Sequence, residues 1–154
     1  MKAKALTLPE MMVVMVLIGT VVFMFYSLFF SNWLSHEIEL TRIELQEEAD
    51  RVMALLERDV LPATNFTVSD SHTVTLTYPV RLNRPDVTYS IDQAGVLNKS
   101  DASGASLDLS EELAQVSSFT KGTRGSFMAD LTFTAPVLGR DIDFTAFREL
   151  YLRN

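Results

Sequence analysis

The chain has no cysteine, and this one absence removes disulfides, thiolate metal sites and cysteine nucleophiles together. Histidine is almost as scarce, with only His36 and His72. Neither stands at a spacing from Ser or Asp that suggests a nucleophile triad, and no P-loop, HExxH or dinucleotide-binding motif is present. Charge is missing from one long stretch: residues 11–36 hold no Asp, Glu, Lys or Arg. Internal repeats are missing too. With 154 residues there is room for one modest domain and an anchor.

The charge that is present is unevenly placed. Lys2 and Lys4 make the first five residues basic, whereas the chain after His36 carries 11 basic and 19 acidic side chains, a net of −8. A surface this acidic repels phosphate backbones, so nucleic acid is not an expected partner. If the acidic part is exported, then without disulfides it has to be held by its core, by metal or by neighbours in an assembly.

The uncharged stretch is long enough to span a bilayer, since about 20 residues of helix suffice. A secretory signal has a shorter apolar region followed by a small-residue cleavage site. Here the small-residue site, Lys4-Ala5 before Leu6, precedes the apolar run, so cleavage there leaves the anchor on the mature chain. Lys2 and Lys4 on one flank and Glu37 and Glu39 on the other place the N-terminus in the cytoplasm and the acidic domain outside the inner membrane. Lipid is then a partner. Tyr26 and Trp33 read as interface anchors, and Gly19, Thr20 and Ser27 as small or weakly polar positions that let neighbouring helices approach.

One carboxylate, Glu10, stands at the mouth of this segment. A charge carried into hydrocarbon costs about 2.5 to 3.5 kcal/mol on insertion scales, so Glu10 needs a partner or a task. Locally, Thr7 as N-cap with Glu10 three residues on fits a capping box, and Pro9 falls in the first turn, where a missing N–H does no harm. A cap alone does not explain the cleavage-like site before it.

Ala5, Leu6, Thr7, Leu8, Pro9, Glu10 and the following Met-Met-Val-Val-Met-Val-Leu-Ile-Gly run, in that order, resemble the N-terminus of the type IV pilin superfamily, the class III signal of prepilins and pseudopilins. Ala5 replaces the commoner Gly and Leu6 the commoner Phe, both tolerated variants in that family. The resemblance implies cleavage between Ala5 and Leu6 by a prepilin peptidase, usually with N-methylation of the new terminus. It also implies that Glu10 neutralises the terminal amine of an adjacent subunit in the filament, a pairing that would fix axial register. The specific part of the likeness covers about the first 35 residues. Beyond it, the outline is similar to the large minor pseudopilins of type II secretion, the J-type tip subunits, which are structural and carry no cofactor. The expected partners are other pseudopilins or minor pilins. Alternatives are a minor pilin of a type IV pilus serving adhesion, motility or DNA uptake, and an uncleaved, single-pass anchored periplasmic adaptor. An anchored hydrolase would need a cleft of convergent polar groups that the sequence does not reveal.

After the anchor, apolar residues at Leu34, Ile38, Leu45, Ala49, Val52, Leu56 and Val60 keep helical spacing. Glu39, Arg42, Glu44, Glu47, Glu48, Arg51 and Arg58 occupy the opposite face, with Glu47 and Arg51 ordered as an i,i+4 pair. Pro62 ends the pattern, giving a helix from Leu8 to Leu61 of roughly 80 Å. Residues 73–78 and 87–91 alternate with the two-residue period of half-buried strands, and Pro79 and Arg84-Pro85-Asp86 supply turns between them. Asp92-Gln93-Ala94-Gly95 is read as a turn into a short strand at 96–98. Further strands are expected at 127–133, 142–147 and 150–152, with loops at 99–106 and 121–126. Asp101, Asp108, Glu111 and Glu112 offer oxygen ligands for calcium, without EF-hand order, and in an acidic domain such groups are usually just solvated.

The expected fold is therefore α+β: a long N-terminal helix, spanning and then amphipathic, packed on a small antiparallel β-rich domain. The expected segments are 1–5 as leader, 6–34 as transmembrane helix and filament core, 35–61 as amphipathic continuation, and 62–154 as periplasmic domain.

Overall fold

The computed structural model describes residues 7–110, 113, 117–123 and 125–152. Helix α1 runs Leu8–Val60. Pro62 biases Leu61 away from the helical region, so the regular helix stops one residue before the expected Leu61, and the chain turns through a bond from the Ala63 N–H to the Val60 carbonyl at 3.0 Å. Contacts divide the chain into two units, Met1–Glu39 and Leu40–Asn154.

In the first unit the described residues 8–33 form helix with every side chain exposed, Leu8 at 77% and Phe23 at 71% among them. This is a helix long and apolar enough to cross a membrane. Two of its hydroxyls are satisfied within it: Thr20 donates to the Val16 carbonyl at 2.8 Å and Ser35 to the Ser31 carbonyl at 3.0 Å, which lowers the cost of placing them in hydrocarbon. Tyr26, Phe30 and Trp33 lie in contact along one flank, with ring centroids 6.3 and 6.0 Å apart.

In the second unit, strands β1 (Asn65–Asp70), β2 (Thr73–Thr77), β3 (Val87–Ile91), β4 (Leu97–Asp101) and β5 (Ser106–Ser110) form an antiparallel meander in chain order. Strands β6 (Ser118–Lys121), β7 (Ser126–Val137) and β8 (Arg140–Tyr151) form a second antiparallel sheet. The two meet where β1 ends, with the Phe119 N–H donating to the Ser71 carbonyl at 2.7 Å. Phe127 bridges the join, its ring centroid 5.2 Å from Phe66 and 6.3 Å from Phe119.

One core serves helix and both sheets. The helix contributes Leu45, Ala49, Val52, Met53, Leu56 and Val60; the meander gives Val74, Leu76, Tyr89 and Leu97, and the second sheet Phe119, Phe127, Leu131 and Phe133. Burying each of the larger side chains favours folding by about 1.5 to 3 kcal/mol, and alternation in β2 and β3 aims them inward while Thr75 and Thr88 pair hydroxyls at 3.1 Å on the outer face. The architecture is α+β, a long N-terminal helix on an antiparallel β domain.

Several local expectations are corrected. The stretch 99–106 is no loop: it completes β4, turns, and enters β5, because pairing with the neighbouring strand outweighs the weak strand preference of Ser, Asp and Lys. Strands expected at 142–147 and 150–152 are one continuous β8, in unbroken register with β7 from Val137↔Arg140 to Ser126↔Tyr151. Strands β1 and β6 have no counterpart among the expected strands. Arg51 contacts Glu48 at 3.6 Å rather than Glu47, and its guanidinium also donates to the Leu109 carbonyl at 3.2 Å, a contact that draws the side chain toward β5.

Candidate functional site

The helix start is built from three residues. The Thr7 carbonyl accepts the N–H of Met11 at 3.1 Å, the first turn's closing bond. The Thr7 N–H, which would otherwise lack a partner, donates to Glu10 Oε2 at 2.8 Å. The Thr7 hydroxyl donates to that same Oε2 at 2.9 Å instead of accepting a backbone N–H, so the reciprocal half of the capping box is not made. Pro9 occupies the first turn, where no intrahelical donor is needed.

Both bonds fall on one oxygen. Glu10 Oε1 accepts nothing from the described residues, and a shallow groove lined by Pro9, Glu10, Val13 and Val14 opens beside the carboxylate. The positive end of the helix dipole supports a negative charge here but supplies no counter-ion. Chemically the arrangement is a pre-oriented acceptor at the rim of an apolar rod, suited to a cation from outside the described residues. Ala5 and Leu6, the expected processing residues, lie outside the described residues.

At the other end of α1 a second charged group stands in a different setting. Asp59 occupies the buried stripe, three residues on from Leu56 and seven from Val52, and is fully buried. A carboxylate at a helix C-terminus is disfavoured by the dipole as well as by desolvation. It persists because Arg84 Nη2 donates to Oδ1 at 2.8 Å, while Lys99 Nζ at 2.5 Å and the Tyr89 hydroxyl at 2.6 Å donate to Oδ2. The Tyr78 hydroxyl donates to the Asp59 backbone carbonyl at 2.9 Å, satisfying one of the helix's terminal acceptors. Arg84 also lies over the Tyr78 ring at 4.4 Å.

Burial raises the Asp59 pKa, but the bonds from Lys99, Tyr89 and Arg84 prevail and bring it from 3.8 down to about 2. Burial pushes Tyr78 up to about 12, and burial followed by the bond to Asp59 raises Tyr89 as well. All four side chains bond the carboxylate or the helix end, so the cluster ties the helix to β3, β4 and the 79–86 loop. The sequence pattern does not point to it: Asp59 stands among the many charges of the helix, and Arg84 reads as part of a turn. The available signal was one acid on an otherwise apolar stripe.

The remaining singled-out residues do not converge. His36 is exposed on α1. His72 sits in the β1–β2 turn, its Nδ1 within 2.9 Å of the Ser71 hydroxyl, beside an open depression of about 580 Å3 lined by Asp70, His72, Thr73, Ile91, Asp92 and Gln93. Asp101 closes the β4–β5 turn, with Oδ1 accepting the Ser103 hydroxyl and the N–H groups of Ser103 at 2.9 Å and Ala105 at 3.2 Å; these bonds, the hydroxyl's foremost, hold the carboxyl below its usual range. Asp108 lies within β5 opposite Asn98, whereas Glu111 and Glu112 lie outside the described residues. Among the described residues no three His, Asp or Glu side chains gather as metal ligands. Compared with known proteins, the chain matches no family model, no curated sequence and no solved structure.

Proposed function

We propose that this chain is a non-enzymatic filament subunit, a minor pseudopilin anchored in the inner membrane by α1, cut between Ala5 and Leu6, and incorporated at or near the tip of a type II secretion pseudopilus. The observation that carries this reading is Glu10: a carboxylate at the mouth of the exposed apolar stretch 8–33 of α1, with Oε2 taken by Thr7 and Oε1 without a partner among the described residues. A filament would bring the charged amine of a processed neighbour into hydrocarbon, where an isolated ammonium is unfavourable, and the open oxygen neutralises it. The exposed apolar face of residues 8–33 then packs against lipid before assembly and against sister helices afterwards. The Leu40–Asn154 unit, periplasmic in this reading, meets other minor subunits and supports export.

Mass spectrometry of the chain made with and without a prepilin peptidase tests processing. Loss of residues 1–5 only in its presence is the expected result, and an intact Met1 in functional protein would point instead to an uncleaved anchored adaptor. Replacing Glu10 with Ala should leave membrane insertion unchanged and reduce recovery in sheared filaments about tenfold, the equivalent of roughly 1.4 kcal/mol. Undiminished incorporation would refute the pairing role.

A further inference from the structure

Strand β8 is a long open edge. Among the described residues it pairs only with β7, and the isolated bridge Leu113↔Phe133 places the segment before β6 on the opposite side of β7. Proline, lysine and a bulge, three of the usual protections of an edge, are missing from β8; its protection is charge, with Asp141 and Asp143 repelling another acidic strand.

Hairpin geometry says which groups face outward. Leu138 and Gly139 form a two-residue turn with φ of 50° and 78°, so Val137 and Arg140, which flank it, exchange both backbone bonds. Alternation then makes Arg140, Ile142, Phe144 and Ala146 the bonded partners of β7, and leaves the N–H and C=O of Asp141, Asp143, Thr145 and Phe147 directed away from it. The side chains of these same four residues lie on the outer face, where Phe147 is 63% exposed. Asp143 accepts the Thr134 hydroxyl at 2.8 Å, and Asp130 stands opposite Phe147. The cations within β8 itself are Arg140 at the turn and Arg148, which is paired with Glu57 at 3.0 Å.

We infer that this edge binds an extended segment of another protein by strand addition, and that the segment alternates basic with apolar residues. A second copy of this chain meets this edge less well. Antiparallel pairing of β8 with itself about a two-fold axis sets residues of equal parity opposite one another. Registers centred on residue 142, 143, 145 or 146 oppose carboxylates to carboxylates, and the register centred on Phe144 opposes Arg140 to Arg148; the register centred on Phe147 opposes no like charges, but it pairs only 143–151 and leaves the outward groups of Asp141 unmet. Of the other edge strands, β1 brings Asp70 and β5 brings Asp108, while β6 is four residues long with a single lysine, Lys121, at its end. A strand with lysine or arginine on the face shared with Asp141 and Asp143 removes this repulsion and satisfies the outward backbone groups. The inference stands whether or not the chain joins a filament.

The test uses the full chain in neutral detergent and a short labelled peptide alternating lysine and valine, followed by fluorescence anisotropy. Binding is expected to weaken about tenfold or more for the glutamate–valine counterpart, and likewise for the lysine peptide N-methylated at its lysines, which keeps the charge but loses the backbone donors. Exchanging Asp141→Lys together with Asp143→Lys, with folding checked by circular dichroism, should reverse the preference between the two charged peptides. On the unaltered chain, the lysine peptide should slow hydrogen exchange at the Asp143 and Thr145 amides. Equal binding of the methylated peptide, or unchanged exchange in β8, would overturn the inference.

Discussion

Replacing Asp59 with Asn keeps the shape of the side chain and removes its charge, leaving Arg84 and Lys99 facing an amide. Two arguments give the magnitude. The carboxyl falls from 3.8 to about 2 on folding, nearly two units at about 1.4 kcal/mol each, so the ionised form contributes roughly 2 to 3 kcal/mol. Breaking a buried pair by deleting one partner costs about 3 to 5 kcal/mol when the orphaned charge stays buried. Here the Arg84 and Lys99 side chains retain 34% and 22% exposure and can turn toward water, which favours the lower figure. The expected loss at pH 7 is therefore about 2 to 3 kcal/mol, measured by denaturant unfolding of the full chain in detergent with circular dichroism of the β domain. A depressed carboxylate stabilises above its unfolded pKa and ceases to do so as pH falls through its folded value. The gap between the two proteins should be constant above about pH 5, shrink below the 3.8 of the unfolded chain, and approach zero below about 2. Other carboxylates also titrate in this window, but they titrate in both proteins and cancel in the difference. A gap that persists unchanged to pH 2, or a variant as stable as the parent at pH 7, would show that the cluster does not tie the helix to the sheet through this charge.

Tyr89→Phe removes one donor to Asp59 and should cost about 1 to 2 kcal/mol, and the same change made on top of Asp59→Asn should cost measurably less, as a double-mutant cycle would show. Leu138 holds a left-handed φ of 50° with its side chain 60% exposed, so Leu138→Asn should raise stability by about 0.5 to 1 kcal/mol and shift the thermal midpoint upward. Gly95→Ala should destabilise by at least about 2 kcal/mol in the same unfolding assay, because φ is +83° and the added Cβ would lie 2.2 Å from the Leu113 carbonyl oxygen.

The readable parts of this chain are those in which local pattern and final burial agree. Residues 73–77 and 87–91 alternate because one face of each strand meets the helix, and the apolar stripe on α1 from Leu45 to Val60 is the surface they cover. Thr7 and Glu10 were also legible, since a cap involves residues three apart. What escaped depends on partners distant in sequence. Strand β5 has little intrinsic strand character and exists because β4 offers it a ladder, and β6 is held in the same way by β7. The β7–β8 hairpin turns on Leu-Gly where Asn-Gly would have announced it, so its 12 paired positions were read as separate pieces. Asp59 is the most instructive omission, because its partners Arg84, Tyr89 and Lys99 lie 25, 30 and 40 residues away. In sequence each is an ordinary surface-type residue, and only the register Tyr89↔Lys99 across β3 and β4 brings two of them side by side over the helix end. An acid on an apolar stripe is itself a local observation, however, and burial costs too much to leave it unpaired. It therefore predicts that cations lie somewhere in the chain at the matching position, even where the sequence does not say which.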